Sequence, residues 1–172
     1  MTDVTNRFQA TFDAQRARFH SDATKSYEWR IDKLERMERL LATHAREFCE
    51  ALQRDFGKPP FEQLFEITVP SGVIRYYREN LRDLMAPQPV PIPKGLEATG
   101  NRGVIYKEPY GVTLVIGPFN APVLLLLDPA IAALAAGNPV ILKPANTTPA
   151  TAALFRKYIP QYFDPQDVAV VT

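Results

Sequence analysis

The stretch "GVTLVIGPFNAPVLLLLDPAIAALAAGNPVILKP", Gly111 to Pro144, decides the fold. Val112 to Ile116 is a short apolar run rich in β-branched residues, which reads as a strand. Glycine, two prolines and one amide interrupt it, and an apolar segment of helical length follows, about residues 121 to 136. Gly137-Asn138 reads as a turn, and "PVILKP" reads as a second strand. Beyond it come a helix opening near Thr147-Thr148-Pro149 and a last strand, "DVAVV". Strands that are apolar throughout belong to parallel sheets covered on both faces, and strand–helix alternation implies right-handed crossovers. The expected fold class is therefore α/β: N-terminal helices followed by a partial Rossmann-like parallel sheet. A βαβαβ unit of about 60 residues is half of a doubly wound dinucleotide-binding domain.

Upstream the period changes. Phe8, Phe12 and Phe19, then Ile31, Leu34, Met37, Leu41, Ala45, Phe48 and Leu52, recur near every 3.6 residues, so 5–56 is read as helical. Gly57 ends that helix and Pro59-Pro60 opens another, over 61–85, in which Pro70 and Gly72 predict a kink or a break. "APQPVPIPKG", 86–95, holds four of the sixteen prolines and is read as an extended connector. Two short β segments, 104–107 and 112–116, flank Pro109-Tyr110-Gly111. Three regions result: helices over 1–85, a proline-rich connector and β arm over 86–107, and the partial dinucleotide-binding unit over 108–172.

Composition narrows the function. Twenty basic residues face nineteen acidic ones, with no basic run, which argues against nucleic acid as a partner. One cysteine, Cys49, allows neither an internal disulfide nor a CxxC motif and points to a reducing compartment. The start is polar, unlike a secretory signal, and the longest apolar stretch is interrupted by Asp128 and Pro129. A cytoplasmic protein with no membrane partner is expected. His20 and His44 have no acidic or cysteine companion at ligand spacing, so no metal site is expected.

In open α/β sheets, ligands bind beyond the carboxyl ends of the strands. Two loops fall there. In Gly117-Pro118-Phe119-Asn120-Ala121-Pro122, the Asn120 side-chain oxygen can cap the following helix, or its NH2 can stabilise an oxyanion on a substrate carbonyl. In Lys143-Pro144-Ala145-Asn146, the lysine at a strand end can hold ribose hydroxyls or phosphate, or can be a solvated surface charge beside a threonine cap. The glycine-rich GxGxxG fingerprint is absent.

"EPYGVTLVIGPFNAPVLLLLDPAIAALAAGNPVILKPANTTPATAALF", Glu108 to Phe155, resembles the N-terminal part of the aldehyde dehydrogenase superfamily. "ALQRDFGKPPFEQLFEITVPSGVIRYYRENLRDLMAPQPVPIP" upstream is similar to its class 3 branch, and "EPYGVT" with "IGPFN" to bacterial benzaldehyde dehydrogenases. The likeness runs from about Arg7 to Thr172. It implies the incomplete fold of that family, NAD or NADP as cofactor, an aldehyde substrate, aromatic or medium-chain by branch, and a homodimer formed through the β arm. Asn120 matches the family asparagine of the oxyanion hole. Ile116, Gly117, Pro118 and Phe119 match a segment lining the cofactor cleft, where the family more often has Trp at the position of Phe119. Lys143 matches the lysine that holds the adenosine ribose. Asn146 stands where the family often has glutamate, which implies tolerance of NADP. The family's nucleophilic cysteine and general-base glutamate lie downstream of the matching segment, so the resemblance implies the N-terminal part of an aldehyde-oxidising enzyme, inactive alone. The alternative is a noncatalytic binding or assembly module.

Overall fold

A computed structural model describes residues 6–172. Its elements are α1 (Gln9–His20), α2 (Tyr27–Phe56), α3 (Pro60–Met85), β1 (Gln88–Val90), a short 3-10 turn (Glu97–Thr99), β2 (Gly103–Ile105), β3 (Thr113–Ile116), α4 (Leu124–Ala136), β4 (Val140–Lys143), α5 (Pro149–Tyr162) and β5 (Val168–Val170). β3, β4 and β5 form a parallel sheet in that order, Leu114 opposite Ile141 and Ile116 opposite Lys143. The expected α/β class and strand–helix alternation hold.

Alternation along the strands separates two faces. Val115, Val140, Leu142 and Val168 point into one core with Leu126, Leu127, Ile131 and Phe155 of the crossover helices. α2 packs across both α4 and α5, and α3 packs on α4, so the long helices cover that inner layer. The outer face carries Leu114, Ile116, Ile141 and Lys143. α1 reaches it, where Gln15 Nε2 donates to the carbonyls of Val140 and Pro165, both at 3.0 Å.

Four sequence expectations are corrected. The single helix over 5–56 is two, because Ser21 to Ser26 form a turn in which Asp22 adopts φ 60° and Ser26 caps α2 through Trp29 N–H at 3.1 Å; residues up to 5 lie outside the described range. Of the kink or break expected at Pro70, the break does not occur: α3 is one helix from Pro60 to Met85. Pro70 is buried and Ser71 Oγ donates to the Ile67 carbonyl at 2.8 Å, so packing of a 26-residue helix overrides the local cost. The proline connector contains an extra strand, β1, paired antiparallel with β2 so that Gln88 faces Ile105. The arm's strand covers 103–105 rather than 104–107. As the sequence predicts, Gly57 ends α2 in the left-handed region, φ 68°. Among the described residues, no helix is long and apolar enough to cross a membrane.

Candidate functional site

Both predicted loops lie at the carboxyl edge of the sheet, side by side. β3 hands over to its loop through Gly117, whose N–H donates to the Lys143 carbonyl at 2.9 Å. A side chain at Gly117 would place its Cβ 3.0 Å from Leu126 Cδ1 and 3.1 Å from Leu126 Cβ. Any larger residue here would push Leu126, and with it the start of α4, away from the strand end.

Asn120 does not cap α4. The N-terminus of that helix has no local side-chain cap, and the Asn120 amide has no hydrogen-bond partner among the described residues. The cap comes from α3: Glu66 Oε2 accepts from the N–H groups of Val123 at 2.8 Å and Leu124 at 3.3 Å. Glu66 is 1% exposed, and its other oxygen pairs with the Lys58 ammonium, which also faces Glu62 at 3.5 Å.

α5 is capped by the same device. Thr148 stands at its start without capping it, its hydroxyl turned to the Ala145 carbonyl at 3.3 Å. Asp55, from the last turn of α2, accepts from Ala150 N–H at 2.9 Å, Thr151 N–H at 2.8 Å and the Thr151 hydroxyl at 2.7 Å. A carboxylate therefore already occupies this helix N-terminus, which removes it as a cradle for phosphate. The segment Asp55 to Glu66 thus ties down both loops, and sequence reading missed it.

The exposed Asn120 borders two cavities. One, of about 420 Å³, runs between the loops past Phe119, Thr147 and Phe56. The other, of about 360 Å³, is walled by Phe61, Phe65 and Leu124 with Lys58 beside them. Phe61 and Phe65, one turn apart on α3, are 78% and 49% exposed, and their ring centroids are 6.4 Å apart.

Ile116 and Lys143, opposite one another in register, point to the outer face. The Lys143 ammonium donates to Asn146 Oδ1 at 2.5 Å and to the Pro144 carbonyl at 3.0 Å. A third cavity, of about 500 Å³, includes Lys143, Leu114, Ile141 and Phe12 in its walls. The structure thus brings Ile116, Lys143 and Asn146 to one face. Phe119 and Asn120 lie on the groove towards α3, with Gly117 and Pro118 between the two groups. Cys49 borders neither cavity at Asn120. Burial, then Glu50 and Glu66, push its thiol above the ordinary value, the opposite of an activated nucleophile. Among the described residues no three His, Cys, Asp or Glu side chains gather as a metal site.

The family described as "Aldehyde dehydrogenase family" matches residues 3–172. An aldehyde dehydrogenase of Craterostigma plantagineum is 40% identical over 164 residues, covering 95% of this chain and 34% of that protein. Aldehyde dehydrogenase family 3 member H1 of Arabidopsis thaliana is 38% identical, covering 91% of this chain and 32% of that one. The substrate-bound structure of Staphylococcus aureus AldH aligns with TM-score 0.91 at 31% identity, over 97% of this chain and 36% of that one. The chain spans about a third of the length of these proteins.

Proposed function

The chain belongs to the aldehyde dehydrogenase family, and we propose that it supplies the oxyanion donor and part of the cofactor cleft of an NAD(P)-dependent enzyme oxidising an aldehyde to the acid. The observation that carries this reading is the state of Asn120: exposed on a proline-flanked loop, relieved of capping by Glu66, at the edge of a cavity walled by aromatic rings. Its NH2 donates to the carbonyl oxygen of the aldehyde as negative charge develops there, and the loop holds that donor in place before the reaction begins. Phe61 and Phe65 offer an apolar wall suited to an aromatic aldehyde.

Ile116, Gly117, Pro118 and Phe119 border the cofactor, with Lys143 and Asn146 directed at the ribose. The residues fit such a group: two donors and an acceptor on one sheet face, next to an apolar cavity. When bound, the nicotinamide supplies the hydride acceptor. The nucleophile comes from outside these residues, since Cys49 sits in α2 with a raised thiol value. The exposed β1–β2 arm, with Val104, Ile105 and Tyr106 uncovered, is the surface for a homodimer.

The test is Asn120→Ala in the assembled enzyme. Removing one oxyanion donor is expected to lower kcat by about 10²- to 10³-fold with KM little changed. A kcat within about threefold of the unsubstituted enzyme overturns the assignment.

A further inference from the structure

The loop carrying Asn120 is anchored at both ends. At its start Gly117 is bonded to β4 and packed on Leu126. At its end α4 opens with N–H groups that have no partner within the helix, and no local side chain meets them. Both of the first free groups, on Val123 and Leu124, converge on one oxygen of Glu66. Between the anchors the backbone is stiffened by Pro118 and Pro122.

We propose that Glu66, held in place by Lys58, is a positioning residue for Asn120. The proposal rests on the reading of Asn120 as the oxyanion donor. A carboxylate is well matched to a helix N-terminus. At 1% exposure its carboxylate is cut off from water, and the offsetting contact comes from Lys58, itself 7% exposed, paired with its other oxygen. The pair has a second consequence. Glu66, Lys58 and Asn120 border the same cavity, so an unneutralised carboxylate would oppose the negative charge that Asn120 is there to stabilise. Lys58 therefore serves twice, fixing the carboxylate and cancelling its field at the reacting oxygen.

A cap that only stabilises the fold and a cap that aims Asn120 differ in one readout, the coupling between the two residues. The experiment measures kcat and KM of the assembled enzyme, with backbone amide exchange at Val123 and Leu124 and relaxation of the Asn120 side-chain amide. Glu66→Ala is expected to speed exchange, loosen the Asn120 amide, and lower kcat about tenfold or more with KM within about threefold. In an Asn120→Ala background the same substitution is expected to lower kcat by less than about twofold. Lys58→Met/Glu66→Gln, which keeps an acceptor for the two N–H groups without a buried charge, is expected to regain most of kcat. It also covers the case in which Glu66→Ala fails to fold. Equal losses in both backgrounds overturn the proposal, as does an unchanged kcat once the amides exchange freely. If Asn120→Ala alone is without effect, the oxyanion reading is what fails. Amide exchange and Asn120 relaxation then decide separately whether Glu66 holds the loop.

Discussion

At the scale of single residues, cofactor choice turns on the pair Lys143 and Asn146. The ammonium meets only uncharged oxygens, on Asn146 and Pro144, and among the described residues no carboxylate pairs with it. Its positive charge is therefore open to a 2′-phosphate, whereas a glutamate at 146 would neutralise it and repel the phosphate. Asn146→Glu is expected to shift the NADP-to-NAD affinity ratio towards NAD by about tenfold or more, equivalent to about 1.4 kcal/mol, in cofactor titrations of the assembled enzyme. A preference for NAD above about a hundredfold in the unsubstituted protein would sink the idea. Lys143, Asn146 and Asn120 were candidates from the sequence because the first ends, and the other two follow, a recognisable strand. That Asn120 leaves the cap of α4 to another residue could not be read there, because the cap is Glu66, 57 residues before Val123 in the chain. Asp55 serves α5 across 95 residues, and no spacing rule links such partners.

At the scale of elements, α2 and α5 are joined by a polar seam the sequence did not announce. Glu47 accepts from the Tyr158 hydroxyl and lies 3.1 Å from His44 Nδ1. The His44 ring stacks on Tyr158 with centroids 3.6 Å apart, and its Nε2 is 3.2 Å from the Tyr162 hydroxyl. The Tyr158 hydroxyl first, then His44, hold the Glu47 carboxyl below its ordinary value against a smaller opposing effect of burial. A folded value below the unfolded one means that the unfolded chain takes up the proton first as pH falls. The seam is thus fully stabilising above the ordinary glutamate value of about 4.3 and weakens below it, down through the folded value. Glu47→Gln is expected to lower Tm at pH 7, and that difference should shrink as melting is repeated at decreasing pH from about 4.3. A difference that stays constant would contradict the seam. Long periodic helices and apolar strands were legible as elements, since burial writes its period into the chain. β1 was not, because a three-residue strand holding Pro89 has no pattern of its own and exists through its pairing with β2. Pro70 misled in the opposite direction, its local cost being outweighed by packing spread over all of α3.

At the scale of the whole molecule, the opposite edge of the sheet is closed by Asp167, just before β5. This buried carboxylate receives Arg18 Nε at 3.1 Å from α1, and Lys33 Nζ at 2.8 Å and Trp29 Nε1 at 3.2 Å from α2. Asp167→Ala leaves Lys33, whose side chain is 8% exposed, with Asp32 alone, and is expected to cost about 3 kcal/mol in denaturant melts; a loss under about 0.5 kcal/mol would contradict the closure. The outer face is built differently. Leu114 and Ile116 are 56% and 67% exposed, and β3 and β5 are both edge strands of the described sheet. Unpaired edges and exposed apolar side chains favour association. The 172-residue polypeptide on its own is therefore expected to elute in size exclusion as species that grow with concentration. Ile116→Lys, which adds charge to the outer face and leaves the inner core untouched, is expected to return it towards the monomer. A soluble monomer that melts cooperatively without that substitution would instead favour a noncatalytic module acting as the short chain. In that case the exposed face would be a finished surface, and Asn120 and Lys143 would have to be explained without an aldehyde or a dinucleotide.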